Sequence, residues 1–568
     1  MTIEIQPLPQ RILLMLLPYW DPQVPPLGIS CLKRVARDAG FYVKTVDANI
    51  EEKFREIQDN YYGLLIQYVP GERRRHLRNI GHDVLRNHMM AYLRYVDESK
   101  YIELIKDMVF KTFSTQLKEE QAHEMNHLID EFYTRLKIYI LEWLDREKPS
   151  VLGLSVYSGT LAASLFTFKL AKQIFPGILT VMGGGIFSGE LAIGSPNFNF
   201  FLEKTPYIDK IIVGEGESLF LRLLKGELPV SQRVFTIEDQ GGNVLDFSQI
   251  GTPDFYDFDL RYYPHLAAFT SRSCPFQCSF CVETVYWGKY RKKSGLQVAG
   301  ELKELYRRHG SQLFVLCDSL LNPVITDLAQ ECIAADLSLY WDGYLRADPL
   351  VCCRDNTMLW RRGGFYRARL GLESGSERML EIMDKKISVR QVKQAVSSLA
   401  HAGIKTTTLW VIGHPGETER DFQETLDLVE ELRDDIYEAD YNPFWYFVTG
   451  QVNSSGWAKN HKSILLYPEY AKDMLILQTW ILDCDPPREE IYRRVNRFAA
   501  HLKKLEIPNP YTLEDFYRAD KRWKKLHKNA VPSMVELNDQ DTYINENKSI
   551  KTICLADNPL KAEEDFIF

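Results

Sequence analysis

Three cysteines stand together in Ser271-Arg-Ser-Cys274-Pro-Phe-Gln-Cys278-Ser-Phe-Cys281, separated by three and two residues and placed directly after a β-like run. Soft thiolates at such spacing hold an iron–sulfur cluster or zinc. Either ordinarily takes four protein ligands, and no fourth Cys or His lies nearby in the sequence. Three thiolates on a cuboidal cluster would leave one iron open to an outside ligand. Further polar and glycine positions recur downstream. Asp318 lies in Phe314-Val-Leu-Cys-Asp-Ser, Arg346 in Trp341-Asp-Gly-Tyr-Leu-Arg, Glu373 and Ser374 in Gly371-Leu-Glu-Ser-Gly, and Gly416 in Ile412-Gly-His-Pro-Gly-Glu-Thr. Each falls at the carboxyl end of an expected strand, where parallel α/β folds gather their sites.

Placing those residues calls for a parallel sheet. From about 265 to 450, apolar runs at Leu266–Thr270, Leu313–Leu316, Leu337–Tyr340, Tyr366–Leu372, Thr406–Ile412 and about Ala439–Phe447 alternate with helical segments. That alternation implies parallel strands, and six such units predict a partial (β/α)6 barrel over 263–450. Upstream, a strand at Arg11–Leu17, a helix at Leu27–Ala39 closed by Gly40 and a strand at Tyr42–Val46 begin a doubly wound sheet. A large helical insertion follows over about 51–147, and the α/β rhythm returns at Val151–Val156, so residues 1–225 are expected to form a Rossmann-like domain. Residues 226–262 read as a connector, with turns at Gly241-Gly242 and Thr252-Pro253. Residues 451–568 read as a mainly helical C-terminal extension that caps the barrel and holds substrate, Asn/Asp-rich at 538–548.

The CxxxCxxC spacing with Phe280 before the last cysteine resembles the signature of the radical SAM superfamily, and the resemblance runs over about 265–450. It implies that Cys274, Cys278 and Cys281 hold a [4Fe–4S] cluster that cleaves S-adenosylmethionine to a 5′-deoxyadenosyl radical. It further implies that Phe280 lies against adenine. Asp318, Arg346, Glu373, Ser374 and Gly416 become candidate contacts to S-adenosylmethionine, with Arg346 suited to its carboxylate and Glu373 and Ser374 to its amino group or ribose. A solvated charge at Arg346 and a helix N-cap neighbour at Glu373 are the alternative readings.

The first domain resembles the cobalamin-binding domain that precedes the barrel in one class of this superfamily. The residues that carry this are Pro25-Pro-Leu-Gly28, Val46-Asp-Ala-Asn49, Gly153-Leu-Ser-Val-Tyr157-Ser158-Gly-Thr160, Gly183-Gly184-Gly185 and Val213-Gly214-Glu215-Gly-Glu217. The resemblance makes Tyr157, Ser158, Thr160, Gly184, Gly185, Gly214 and Glu215 candidate cobalamin contacts. Glycines at strand ends let a flat macrocycle approach the backbone, but they also serve tight turns in any Rossmann-like domain. The Asp-x-His-x-x-Gly motif that supplies an axial histidine in other cobalamin proteins is absent. Both cofactors together imply methylation of an unactivated carbon in a natural-product or peptide intermediate, and an electron donor such as flavodoxin or ferredoxin. A cobalamin-free or non-methylating mutase, cyclase or oxidase is the second reading.

Composition narrows the rivals. A formal net charge of −8 argues against a protein built to grip nucleic acid, and a zinc-bearing nucleic-acid module would also predict a fourth ligand. Hydrophobic content of 45% with 26% charge describes a globular chain, and the 568 residues suffice for several units. Ile12–Leu17 is too short to span a bilayer. Apart from that trio and the adjacent Cys352–Cys353, the ten cysteines are scattered and do not form a disulfide framework, which points to a reducing, cytoplasmic setting and no membrane partner.

Overall fold

Two six-stranded parallel sheets carry the fold in the computed structural model, which describes residues 11–20, 23–74, 77–240, 247, 250–511 and 513–530. The expected turn at Gly241-Gly242 and the stretch 538–548 lie outside the described residues. The first sheet comprises β1 (Arg11–Leu16), β2 (Tyr42–Asp47), β3 (Val151–Ser155), β4 (Leu179–Gly183), β5 (Lys210–Ile212) and β6 (Val234–Phe235), in the order β2-β1-β3-β4-β5-β6. β6 lies past the boundary expected at 225, so the segment read as connector supplies the sheet's last strand.

Ile12-Leu-Leu-Met-Leu16 is a continuous apolar run because both faces of β1 are covered. Ile12, Leu14 and Leu16 enter one core with Val43, Val151, Val181 and Ile212, whereas Leu13 and Met15 enter a second with Leu152 and Leu154. Helices Glu52–Tyr68, Leu77–Tyr92, Glu98–Phe113 and Glu119–Glu147 form the insertion and fill the second core. The first core is continuous with the helices of the other sheet, through Leu302, Leu328 and Trp360 among others.

That other sheet contains β7 (Leu266–Ala268), β10 (Leu313–Leu316), β11 (Tyr340–Arg346), β12 (Phe365–Glu373), β13 (Lys405–Ile412) and β14 (Glu438–Pro443), with β8 (Ser271–Arg272) and β9 (Arg291–Lys292) pairing apart from it. Its order is β14-β13-β12-β11-β10-β7; the two edge strands do not pair, so the barrel is open. β11 differs from the expected Leu337–Tyr340. Trp341 and Leu345 face the outer core while Asp342, Tyr344 and Arg346 alternate on the inner face, a period of two that an apolar-run reading passes over.

The C-terminal region is not wholly helical. β15 (Lys462–Leu465) and β16 (Trp480–Asp483) form an antiparallel pair in which Ile464 faces Ile481 and Leu465 faces Trp480. β-branched and aromatic cross-strand pairs stabilise such a ladder. Helices Arg488–Lys504 and Leu513–Leu526 then complete the cap. Among the described residues no helix is long and apolar enough to cross a membrane.

Candidate active site

The three cysteines lie on a loop that leaves β8 and is held from several sides. Ser273 adopts φ 70 and donates its hydroxyl to the Gly288 carbonyl at 2.7 Å. The Ser279 amide donates to the Met383 carbonyl at 2.9 Å. A segment after β14 completes the hold: Val452 and Asn453 amides donate to the Cys281 and Ser279 carbonyls at 3.1 and 2.9 Å. The Gln451 amide side chain reaches the Phe280 and Trp445 carbonyls, each at 2.9 Å. Cys278 is buried, and Cys274 and Cys281 are half-buried. Burial raises the Cys274 thiol and pushes Cys281 up to about 12. Thiolates in this loop therefore call for a cation among them. Among the described residues no three His, Cys, Asp or Glu side chains converge on a single-ion site.

Arg346, the last residue of β11, meets this loop. Its Nη1 stands 3.6 Å from Cys278 Sγ and its guanidinium lies 3.9 Å from the centre of the Phe276 ring. Asn322 fixes the arginine backbone from both sides, accepting from its amide and donating to its carbonyl, both at 2.9 Å. The side chain is buried, and Nη2 has no hydrogen-bond partner. A buried guanidinium N–H without an acceptor costs of order 1–3 kcal/mol. A carboxylate arriving beside the thiols would satisfy it.

The other candidates divide by what already occupies them. Asp318 is buried and accepts from the Thr270 amide at 2.8 Å and from the Ser271 amide, fastening the end of β10 to the start of the cysteine loop; burial pushes its carboxyl up to about 6. Glu373 ends β12 at φ 64 and takes an ion pair from Lys385 at 2.6 Å. Ser374 is buried, lies 3.3 Å from Thr425 Oγ1 and accepts from the Ser376 amide at 3.2 Å. Gly416 sits at φ 85 with open space at its Cβ position. Phe280 meets His414 edge-on at 6.4 Å, and His414 packs in turn on Phe444 and Trp457. Burial lowers the His414 imidazole to about 4, so it is neutral.

In the first domain, the strand order reverses between β1 and β3, and ligands of open α/β sheets bind at such a switch point. Trp20, just beyond β1, stacks on Tyr157, just beyond β3, at 4.2 Å, and Trp20 remains 45% exposed. A Cβ at Gly185 would strike the Tyr157 ring at 2.8 Å, and one at Gly184 would strike the Val156 amide nitrogen at 2.4 Å, so both glycines permit close packing of this edge. Thr160 is buried and exchanges hydrogen bonds with the Tyr157 backbone. Ser158 donates to Glu190 at 2.5 Å, and Glu215 is ion-paired with Arg291 and Arg272. Gly214, at φ 90, has open space around it. The exposed aromatic face and Gly214 fit a flat macrocycle, whereas Ser158, Thr160 and Glu215 are engaged within the protein.

Sequence reasoning missed Trp20, Phe276, Asn322, Gln451 and the arginines that grip Glu215. An Asn before Pro323 reads as a turn residue, and only the fold brings it against a strand end. The Trp20 position had a signal in its place just past the first strand.

Residues 269–429 match the Radical SAM superfamily. The anaerobic magnesium-protoporphyrin IX monomethyl ester cyclase of Rubrivivax gelatinosus is 26% identical over 330 residues, 53% of this chain and 57% of that protein. The cobalamin-dependent radical SAM methyltransferase TokK of Streptomyces tokunonensis is 27% identical over 339 residues, 52% of this chain and 47% of that protein. The chain thus spans about half the length of these curated relatives. Among solved structures, the radical S-adenosylmethionine methyltransferase TsrM from Kitasatospora setae, with cobalamin and a [4Fe–4S] cluster bound, superposes with a TM-score of 0.56. The match covers 91% of this chain and 99% of that one at 14% identity, a likeness of fold.

Proposed function

We propose that this chain, which carries a radical SAM domain over residues 269–429, binds a [4Fe–4S] cluster on Cys274, Cys278 and Cys281. S-adenosylmethionine would lie beside Arg346, and a corrinoid over Trp20 and Tyr157. The observation that carries this reading is the unpartnered Arg346 Nη2 in a guanidinium whose other nitrogen stands 3.6 Å from Cys278. When bound, the cluster and S-adenosylmethionine supply a 5′-deoxyadenosyl radical for unactivated carbon, and a corrinoid supplies a transferable methyl group.

The protein's own part is placement. Arg346 would pair the S-adenosylmethionine carboxylate bidentately while Asn322 keeps it from swinging. Phe280 would offer a ring face, held by its backbone contact to Gln451. Lys385 already occupies Glu373, so the Gly371–Gly375 turn would serve an amino group or ribose through backbone and the outer oxygen of Glu373. The substrate is a small molecule or peptide; a flavodoxin or ferredoxin as electron donor and a cytoplasmic location belong to the same proposal.

The test is anaerobic purification from cells supplied with cobalamin, with iron and corrinoid quantified against protein and labelled methyl donor followed into product. About four irons and one corrinoid per chain support the full reading. The engagement of Ser158, Thr160 and Glu215 within the protein favours a second reading, a corrinoid-free mutase, cyclase or oxidase, which predicts iron without corrinoid. Absence of both iron and 5′-deoxyadenosine would refute the two together.

A further inference from the structure

Two adjoining cavities lie between the barrel mouth, the first domain and the C-terminal cap, and share Trp445, Tyr446, Thr479 and Trp480. One, of about 570 Å³ to its open mouth, reaches Gly413 and Pro415 after β13 and Arg488 on the cap helix. The other, of about 460 Å³, reaches Glu190, the partner of Ser158 at the switch point of the first sheet. The cleft therefore runs from one proposed cofactor edge to the other.

Its chemistry is uneven. Phe444, Trp445, Tyr446, Trp480 and Tyr492 make the walls aromatic. Arg488 lies against Tyr492 with its guanidinium 4.3 Å from the ring centre, forms an ion pair with no carboxylate among the described residues, and leaves Nε buried without an acceptor. Trp480 Nε1, in the same wall, is likewise buried without an acceptor. A cleft whose walls offer ring faces, a cation and spare N–H donors matches a flat aromatic molecule that carries an anionic oxygen group.

We propose that this cleft binds an aromatic carboxylate, with its ring between Trp445 and Trp480 and its carboxylate on Arg488, as the substrate class of the site described above. The proposal rests on the radical SAM reading and goes beyond it by naming the class. The placement also joins the cleft to the cysteine loop. The segment that carries Trp445 and Tyr446 into the cleft fixes the cysteine loop through Gln451, Val452 and Asn453.

Equilibrium dialysis of the reconstituted full chain, without S-adenosylmethionine, separates this proposal from the reaction itself. The probes are indole-3-acetate and its uncharged isostere indole-3-acetamide. The expected result is saturable binding of the acetate at least about tenfold tighter than the amide, in line with a charge-assisted hydrogen bond. Arg488→Gln should erase that preference at unchanged iron content, Arg488→Lys should retain most of it, and Trp480→Ala should weaken both probes. Equal binding of the two probes, a preference that survives Arg488→Gln, or no saturable binding of either overturns the proposal. Failure of 5′-deoxyadenosine formation would instead strike the underlying reading and leave the dialysis result standing.

Discussion

Arg272 and Glu217 join the cysteine loop to the first sheet. The guanidinium, two residues before Cys274, sits with Nη1 3.2 Å from Glu217 Oε2 and 3.5 Å from Glu215 Oε2, while Arg291 holds Glu215 at 3.0 Å. Both carboxylates are buried. Burial alone would raise the Glu217 carboxyl, but Arg272 overrides it and leaves it below the usual range. Removing Glu217 leaves Arg272 with only the longer contact to Glu215, and breaking such a buried pair costs up to roughly 3–5 kcal/mol. Glu217→Gln should therefore lower the melting temperature and the iron retained on anaerobic gel filtration together. A melting temperature within a degree of wild type, with full iron, would show that the network does not brace the loop.

Cys278→Ala should abolish iron loading and 5′-deoxyadenosine formation, because Cys278 is the thiol that Arg346 approaches and no other cysteine shares its loop position. Iron content and deoxyadenosine by chromatography are the readouts. Normal cleavage in that variant would sink the cluster assignment.

The cysteine trio could be read from sequence because its spacing is covalent and needs no fold to interpret. The strand ends carrying Asp318 and Glu373 could also be read, since β-like runs and glycine stops are local, whereas β11 runs on to Arg346, past the expected apolar run. What those residues touch could not. Arg272 finds Glu217 across 55 positions and Arg291 finds Glu215 across 76, so the ion pairs that Glu215 makes with both arginines could not be seen from its glycine-rich turn. Gly184 likewise meets the Val156 backbone in a contact that only the fold reveals. The hairpin β15 and β16 escaped notice because its two strands are short and far apart in the chain.

Arg346→Gln should weaken S-adenosylmethionine binding by about tenfold to a hundredfold, the range for a lost charge-assisted hydrogen bond, with iron content retained. Asn322→Ala should shift the same affinity in the same direction although the guanidinium group is kept, since it frees the arginine backbone at both its amide and carbonyl. Isothermal titration with S-adenosylmethionine reads both. Unchanged affinity in Arg346→Gln removes Arg346 from the site; unchanged affinity in Asn322→Ala alone reduces Asn322 to a packing residue.

Asp421 gives the pH dependence of the barrel mouth. It accepts from Ser376 Oγ at 2.6 Å and from the Thr418 amide at 2.8 Å and pairs with Arg378, which also donates to the Gly416 carbonyl at 2.6 Å. One carboxylate thus ties the turn after β12 to the turn after β13. Burial would raise its carboxyl, but Arg378, Ser376 and Thr418 prevail and hold it well below the usual carboxylate range. A depressed folded-state value means that the unfolded chain binds the proton first on acidification. The stabilisation is therefore full above the unfolded value near 4 and is lost as pH falls below it, by at most about 1.4 kcal/mol per unit. Urea unfolding of wild type and Asp421→Asn between pH 7 and pH 3 should show a stability gap that is constant down to about pH 4 and shrinks below it. Cluster and bulk-charge effects act on both proteins alike, so the gap isolates this carboxylate. A gap that stays constant to pH 3 would mean that Asp421 braces the two turns by packing and not by charge.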